Sequence, residues 1–134
     1  MKPYKITETI RLRVATIEFW DNGITNIRLD DNIEISLPDS ADQYETLKAR
    51  YDGKTQYKIL VEPGRYTSIS KEAREFSTVP ERNNMTAATA VLVRSLAHRI
   101  LINFLINLTQ KQTMRMRMFD SKEKAIEWLL SINP

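Results

Sequence analysis

Few side chains in this 134-residue chain could do covalent or metal chemistry. Cysteine is absent and histidine occurs once, as His98. Thiol nucleophiles, disulfides, Cys-based zinc sites and multi-histidine metal sites are therefore excluded, and a carboxylate-rich site of the kind Mg²⁺ uses is the metal arrangement left open. A serine triad would have to recruit His98, and no glycine-flanked nucleophile elbow accompanies it. The three glycines form no phosphate-cradling pattern, which argues against a nucleotide site of the familiar kinds. An acid/base pair needs carboxylates held in contrasting environments, and the spacing offers scattered surface acids. His98 falls in the first turn of a predicted helix and reads as a surface residue. The expectation is a non-enzymatic protein with no cofactor and no bound metal.

Charge is distributed unevenly. Residues 1–69 hold ten basic and eleven acidic side chains, while residues 70–134 hold ten basic and six acidic, and no carboxylate stands between Glu81 and Asp120. Arg82, Arg94, Arg99, Lys111, Arg115 and Arg117 fall in that window, making a solvated basic face or a contact for an anionic partner. They form no dense stripe and no aromatic ladder interrupts them, so nucleic acid is not expected. No signal-peptide pattern opens the chain and no apolar run reaches membrane-spanning length. The reading is one cytoplasmic domain over residues 1–134 with no membrane span.

The elements that would position these groups follow from periodicity. Residues 11–29 read as a hairpin around Asp21-Asn22-Gly23, a turn that needs residues tolerant of positive φ. Ile33, Ile35 and Leu37 alternate in a short extended segment that Pro38 ends. Ser40 and Gln43 suggest a capping box opening a helix over 40–52, with Gly53 as its stop. Tyr57 to Val61 reads as a buried strand. A helix over 71–78 capped by Ser70 follows, then a strand from Thr86 to Val93 covered on both faces. A helix over 95–109 capped by Ser95 leads to a half-exposed edge strand from Met114 to Phe119. Asp120 with Glu123 opens the last helix, whose inner stripe is Ala125, Trp128 and Leu129. The expected class is α/β: an N-terminal antiparallel hairpin joined to parallel strands with right-handed crossovers and about four helices.

The helix over 95–109 carries the main partner signal. At 100° per residue, Leu96, Ala97, Ile100, Leu101, Phe104, Leu105 and Leu108 share about half the circumference and are expected to face the core. Ile102 and Ile106 fall on the other half among His98, Arg99 and Asn103. They form an apolar ridge that is either covered by a neighbouring loop or helix of the same chain or left as a contact for a subunit, a protein partner or an apolar ligand, with Arg99 and Asn103 beside it. On the edge strand, Met114, Met116 and Met118 alternate with Arg115, Arg117 and Phe119. The methionines could line a pliable apolar pocket with Arg115 or Arg117 as anion anchors, provided that a strand end or bulge brings the two faces together.

The segments Ser68 to Phe76, Thr89 to Val93, Ser95 to Leu108 with Asn103-Phe104 inside it, and Met118 to Leu129 resemble the bacterial STAS-like, or SpoIIAA-like, family of small cytosolic proteins. The resemblance covers nearly the whole chain and implies a mixed sheet with helices, as in anti-sigma-factor antagonists. In those antagonists the strand equivalent to 57–61 runs into an Asp-Ser-Ser-Gly-like turn whose serine is phosphorylated. Here the chain reads Glu62-Pro63-Gly64-Arg65-Tyr66-Thr67-Ser68-Ile69-Ser70. Ser68 and Ser70 are its candidate phosphoacceptors outside that motif, and Ser70 is explained as a helix cap. The expected function is a regulatory or protein-interaction module that self-associates through the 95–109 helix. A carrier or sensor of an apolar acidic small molecule or lipid is the alternative, and the resemblance extends loosely to lipid-binding STAS and Sec14-type domains.

Overall fold

The computed structural model describes residues 4–76, 84–109 and 115–132. Strand β1 (Ile6–Arg11) pairs antiparallel with β2 (Ala15–Trp20), and β2 pairs antiparallel with β3 (Ile24–Leu29). The expected turn joins β2 to β3: Gly23 sits at φ +91° and the Asn22 side chain accepts the Ile24 N–H at 3.1 Å. Beyond β3 the sheet is parallel, through β5 (Tyr57–Glu62), β7 (Thr86–Leu92) and β8 (Met116–Phe119), in the order β1-β2-β3-β5-β7-β8. Two short strands, β4 (Glu34–Ile35) and β6 (Ser68–Ile69), form a separate parallel pair. The helices are α1 (Leu37–Arg50), α2 (Lys71–Phe76), α3 (Leu96–Thr109) and α4 (Lys122–Ser131). The hairpin, the parallel strands and the four helices among the described residues agree with the expected class.

Side-chain alternation sends the strands' apolar groups to two cores. On one face, α4 lays Ala125 and Leu129 over Trp20, Ile24, Leu60, Ala88, Ala90 and Leu92. On the other, Leu47 of α1 covers Ile17, Ile27 and Ile59, and Ile102 of α3 covers Val91 beside Val61, Met116 and Met118. β7 thus has cover above and below, which explains its run of small and β-branched residues.

Several boundaries differ from expectation. β1 was not anticipated by the alternation; its ITETIR sequence is mostly exposed at the sheet edge, so no apolar face marks it. α1 begins three residues earlier than the Ser40 capping box implied. Its N-cap is Ser36, with Pro38 in the first turn and Asp39 as the acidic box partner, because proline fits a helix start where no N–H is needed. Asp39 Oδ2 accepts the Ser36 N–H at 2.9 Å and the Ser36 hydroxyl at 2.8 Å, while Arg13 Nε donates to Oδ1 at 2.8 Å. The Arg13 guanidinium, with the Ser36 donors behind it, holds the Asp39 carboxyl at about 2 against burial that pushes the other way. Ser121, rather than Asp120, caps α4 through the Lys124 N–H. The expected ends of the second helix and of the Met-Arg strand at Met114 lie outside the described residues.

Two loops near the carboxyl end of the sheet are tied together. Arg65 N–H donates to Asp31 Oδ1 at 2.7 Å, Asn32 N–H to the Arg65 carbonyl at 2.7 Å and the Thr67 hydroxyl to the Asp30 carbonyl at 2.9 Å. Gly64 makes the approach possible, since a Cβ there would meet the Asp30 carbonyl oxygen at 2.6 Å. Ser68 and Ser70 donate their backbone N–H groups to Ile33 and Ile35 at 2.9 Å each, continuing the seam between the two segments.

Candidate functional site

The geometry gathers a site where α1, α3 and the loops around β4 and β6 meet the sheet. A cavity of about 160 Å³ lies there, walled by aliphatic side chains such as Ile27, Leu47, Ile59, Val61, Val91 and Ile102. Met116 lines it from the edge strand, as the pocket reading required, and Ser68 lines it from the clamped loop. Among the described residues, the polar groups of its walls are hydroxyls, Gln43 and His98, with no Lys, Arg, Asp or Glu.

Two polar side chains of this wall have unmet hydrogen-bonding capacity. Thr89 is 4% exposed and His98 6%. Thr89 Oγ1 and His98 Nδ1 have no hydrogen-bond partner among the described residues. Thr89 is fixed by the sheet, its N–H donating to the Arg115 carbonyl at 2.8 Å. His98 stands in the first turn of α3, where its N–H donates to the Ser95 hydroxyl at 3.1 Å; Ser95 is the expected cap. The reading of His98 as a surface residue is therefore corrected. Thr89 was not singled out as functional, although a hydroxyl in a strand covered on both faces is the signal that could have found it.

The orientation of α3 buries Ile102 under the same chain, which removes it from an exposed ridge. Ile102 is 7% exposed, whereas Leu96 and Ile100, expected inside, are 73% and 63% exposed. The helix turns its His98–Ile102 seam to the sheet, where Ile102 packs on Val91, Met116 and Met118. The broader apolar arc is not seated on the sheet at Leu96, Ala97 and Ile100. Arg99 and Asn103 are exposed as expected, while the Ile106 side chain lies outside the described residues.

The arginines and methionines of β8 stay on opposite faces. Met116 and Met118 pack toward Ile102, while the Arg117 guanidinium lies 5.1 Å from the Phe119 ring centre and 5.9 Å from that of Trp128. Arg115 is exposed. Neither arginine lines the cavity that Met116 lines, so the structure does not bring these groups together as an anion anchor.

On the α4 side, Asn26 and Glu62 are buried at 0% and 8% exposure. Asn26 Nδ2 donates to Glu62 Oε2 at 2.9 Å, and Lys122 and Arg94 approach the same carboxylate at 3.4 and 3.6 Å. Arg94 of the carboxylate-free window is therefore an ion-pair partner. Ser70 Oγ accepts the Ala73 N–H at 3.1 Å, the capping role expected of it, and Ser68 is exposed. Among the described residues, no three His, Asp or Glu side chains gather as a metal site, and no helix is long and apolar enough to cross a membrane.

Comparison with known proteins bears on the fold. A family model described as a domain of unknown function, DUF7793, matches residues 18–133. An uncharacterized protein of the DUF3478 family from Shewanella loihica PV-4, with a SpoIIAA-like fold, superposes with a TM-score of 0.60. The match covers 96% of this chain and 97% of that one at 11% identity. At that identity the likeness concerns fold alone, and it agrees with the SpoIIAA-like resemblance. No curated protein matches the sequence.

Proposed function

The chain belongs to the DUF7793 family and has a SpoIIAA-like fold, and from that premise we propose that it is a non-enzymatic regulatory module that works by protein contact and self-associates through the outward face of α3. One observation carries this reading: Leu96 and Ile100, one helical turn apart, are 73% and 63% exposed. Large apolar side chains at adjacent positions on a helix favour burial by about 25 cal/mol for each Å² removed from water. Exposed Arg99 and Asn103 at the margin would supply the polar rim of such a contact. In this reading Leu96 and Ile100 take the contact role in place of the buried Ile102, on the same helix.

Sedimentation velocity over a concentration series tests the reading. The wild type is expected to associate at micromolar concentrations, and Leu96→Glu with Ile100→Glu to sediment as a monomer whose unfolding midpoint matches that of the wild type at concentrations too low for association, because both positions are exposed in the monomer. A wild type that remains monomeric at high micromolar concentration refutes self-association. Ile102→Glu serves as the contrast: a charge placed in the buried seam is expected to unfold the domain rather than dissociate it.

A further inference from the structure

We propose that the cavity between α1, α3 and the sheet is a binding site for a small, uncharged, mostly apolar molecule bearing one hydroxyl group, with the size and chemistry of a simple phenol. Volume sets the scale. At about 160 Å³ the cavity matches the roughly 150 Å³ of an engineered apolar cavity that takes up benzene. The aliphatic wall would face the ring, and two buried polar atoms would face the head group.

Those two atoms give the site its specificity. Four buried side-chain atoms lack partners among the described residues: Asn22 Nδ2, Asn26 Oδ1, Thr89 Oγ1 and His98 Nδ1. Asn22 belongs to the β2–β3 turn and Asn26 faces α4, while Thr89 and His98 both line this cavity. They come from different elements, a central strand and the first turn of a helix. That both line one cavity therefore does not follow from local sequence. A ligand hydroxyl donates one hydrogen bond and accepts another, so it can satisfy the threonine hydroxyl together with either tautomer of the imidazole.

Charge excludes the acidic ligand that the sequence suggested. Among the described residues no Lys or Arg lines the cavity, and Arg117 rests on Phe119 and Trp128 across the sheet. A carboxylate would enter without a fixed counter-charge, which desolvation opposes strongly. A neutral hydroxyl meets no such penalty.

Titration with p-cresol, toluene and 4-methylbenzoate tests the proposal, followed by amide NMR and by thermal unfolding. p-Cresol is expected to bind saturably, to shift the amide signals around Thr89 and His98 and to raise the unfolding midpoint. Toluene, which has the same ring and methyl group without the hydroxyl, is expected to bind about tenfold more weakly, and 4-methylbenzoate not to bind. Thr89→Val preserves shape and removes the hydroxyl, so it should bring p-cresol and toluene close to parity while keeping toluene binding. The proposal is overturned if p-cresol fails to saturate at millimolar concentration, as expected if a trapped water occupies the cavity. It is also overturned if toluene matches p-cresol in the wild type, or if Thr89→Val leaves the preference intact. Should Thr89→Val not fold, His98→Phe fills the cavity and removes the imidazole; undiminished p-cresol binding there overturns the proposal equally.

Discussion

Asp39 gives the sharpest quantitative test, because one carboxylate both caps α1 and pairs with Arg13. Its side chain is 3% exposed and that of Arg13 is 64% exposed. The carboxyl is held at about 2 against an ordinary 3.8, so the folded protein binds fewer protons here than the unfolded chain. Its contribution to stability is therefore complete above about pH 4 and is lost as pH falls from there toward about 2. At roughly 1.4 kcal/mol per pH unit the gap corresponds to about 2.5 kcal/mol. Solvent screening at the exposed Arg13 end reduces the expected value to about 1–2 kcal/mol. Asp39→Asn keeps size and a capping oxygen while removing the charge. Urea unfolding of both proteins from pH 6 to pH 3 should show the mutant less stable by that amount at pH 6, with the difference narrowing at pH 3. Glu8, Asp30 and Asp52 are also held below their usual values, and they cancel because both proteins carry them. A difference that is constant across the range would refute the argument, since a pure packing or capping defect has no reason to follow that titration.

Three other outcomes follow from named contacts. Ser70→Ala should lower stability by about 1 kcal/mol through the lost Ala73 contact, while Ser70→Asp, which can still cap, should match the wild type in chemical unfolding. Gly64→Ala should destabilise by roughly 1–3 kcal/mol, because the added methyl must displace backbone at Asp30 as well as the Asp31 carboxylate; an unchanged thermal midpoint would contradict the close approach. Leu129→Ala, at a position with 0% exposure in the α4 core, should cost about 2–5 kcal/mol by calorimetry.

The parallel half of the fold was legible because its strands carry buried runs between helix caps: Ser70 and Ser95 cap as read, and β7 has the cover its small residues imply. β1 was invisible for the opposite reason, since an exposed edge strand rich in Thr and Glu has no apolar face to display. At α1, the side chains of both Ser36 and Ser40 could open a helix. Pro38 decided in favour of Ser36, and the pattern of apolar residues alone did not weigh it. For α3 the rule that the widest apolar arc faces inward fails at Leu96 and Ile100, which are exposed while His98 and Ile102 are buried. The cavity was partly legible through Met116. Thr89 and His98 line one cavity only because α3 turns His98 and Ile102 toward the sheet, an orientation that the periodicity of the helix did not indicate. Arg117 was misplaced as an anchor even though strand alternation already put it opposite the methionines.

The seam between residues 30–35 and 64–70 also determines where this chain could be lengthened. Each residue from Asp30 to Asn32 meets the facing loop through a backbone group or a short side chain, and Gly64 leaves no room for a methyl group. An inserted residue in either loop would shift those hydrogen bonds out of step and carry β4 and β6 with them. The turn after α1 is of another kind: Asp52 accepts the Lys54 and Thr55 N–H groups from within its own segment, and residues 52–55 are exposed. A fluorophore-bearing cysteine, a peptide tag or new chain termini should be accommodated there. That attachment point lies apart from both the outward face of α3 and the clamped loops bordering the cavity, so a probe placed on it can report on either without entering the contact.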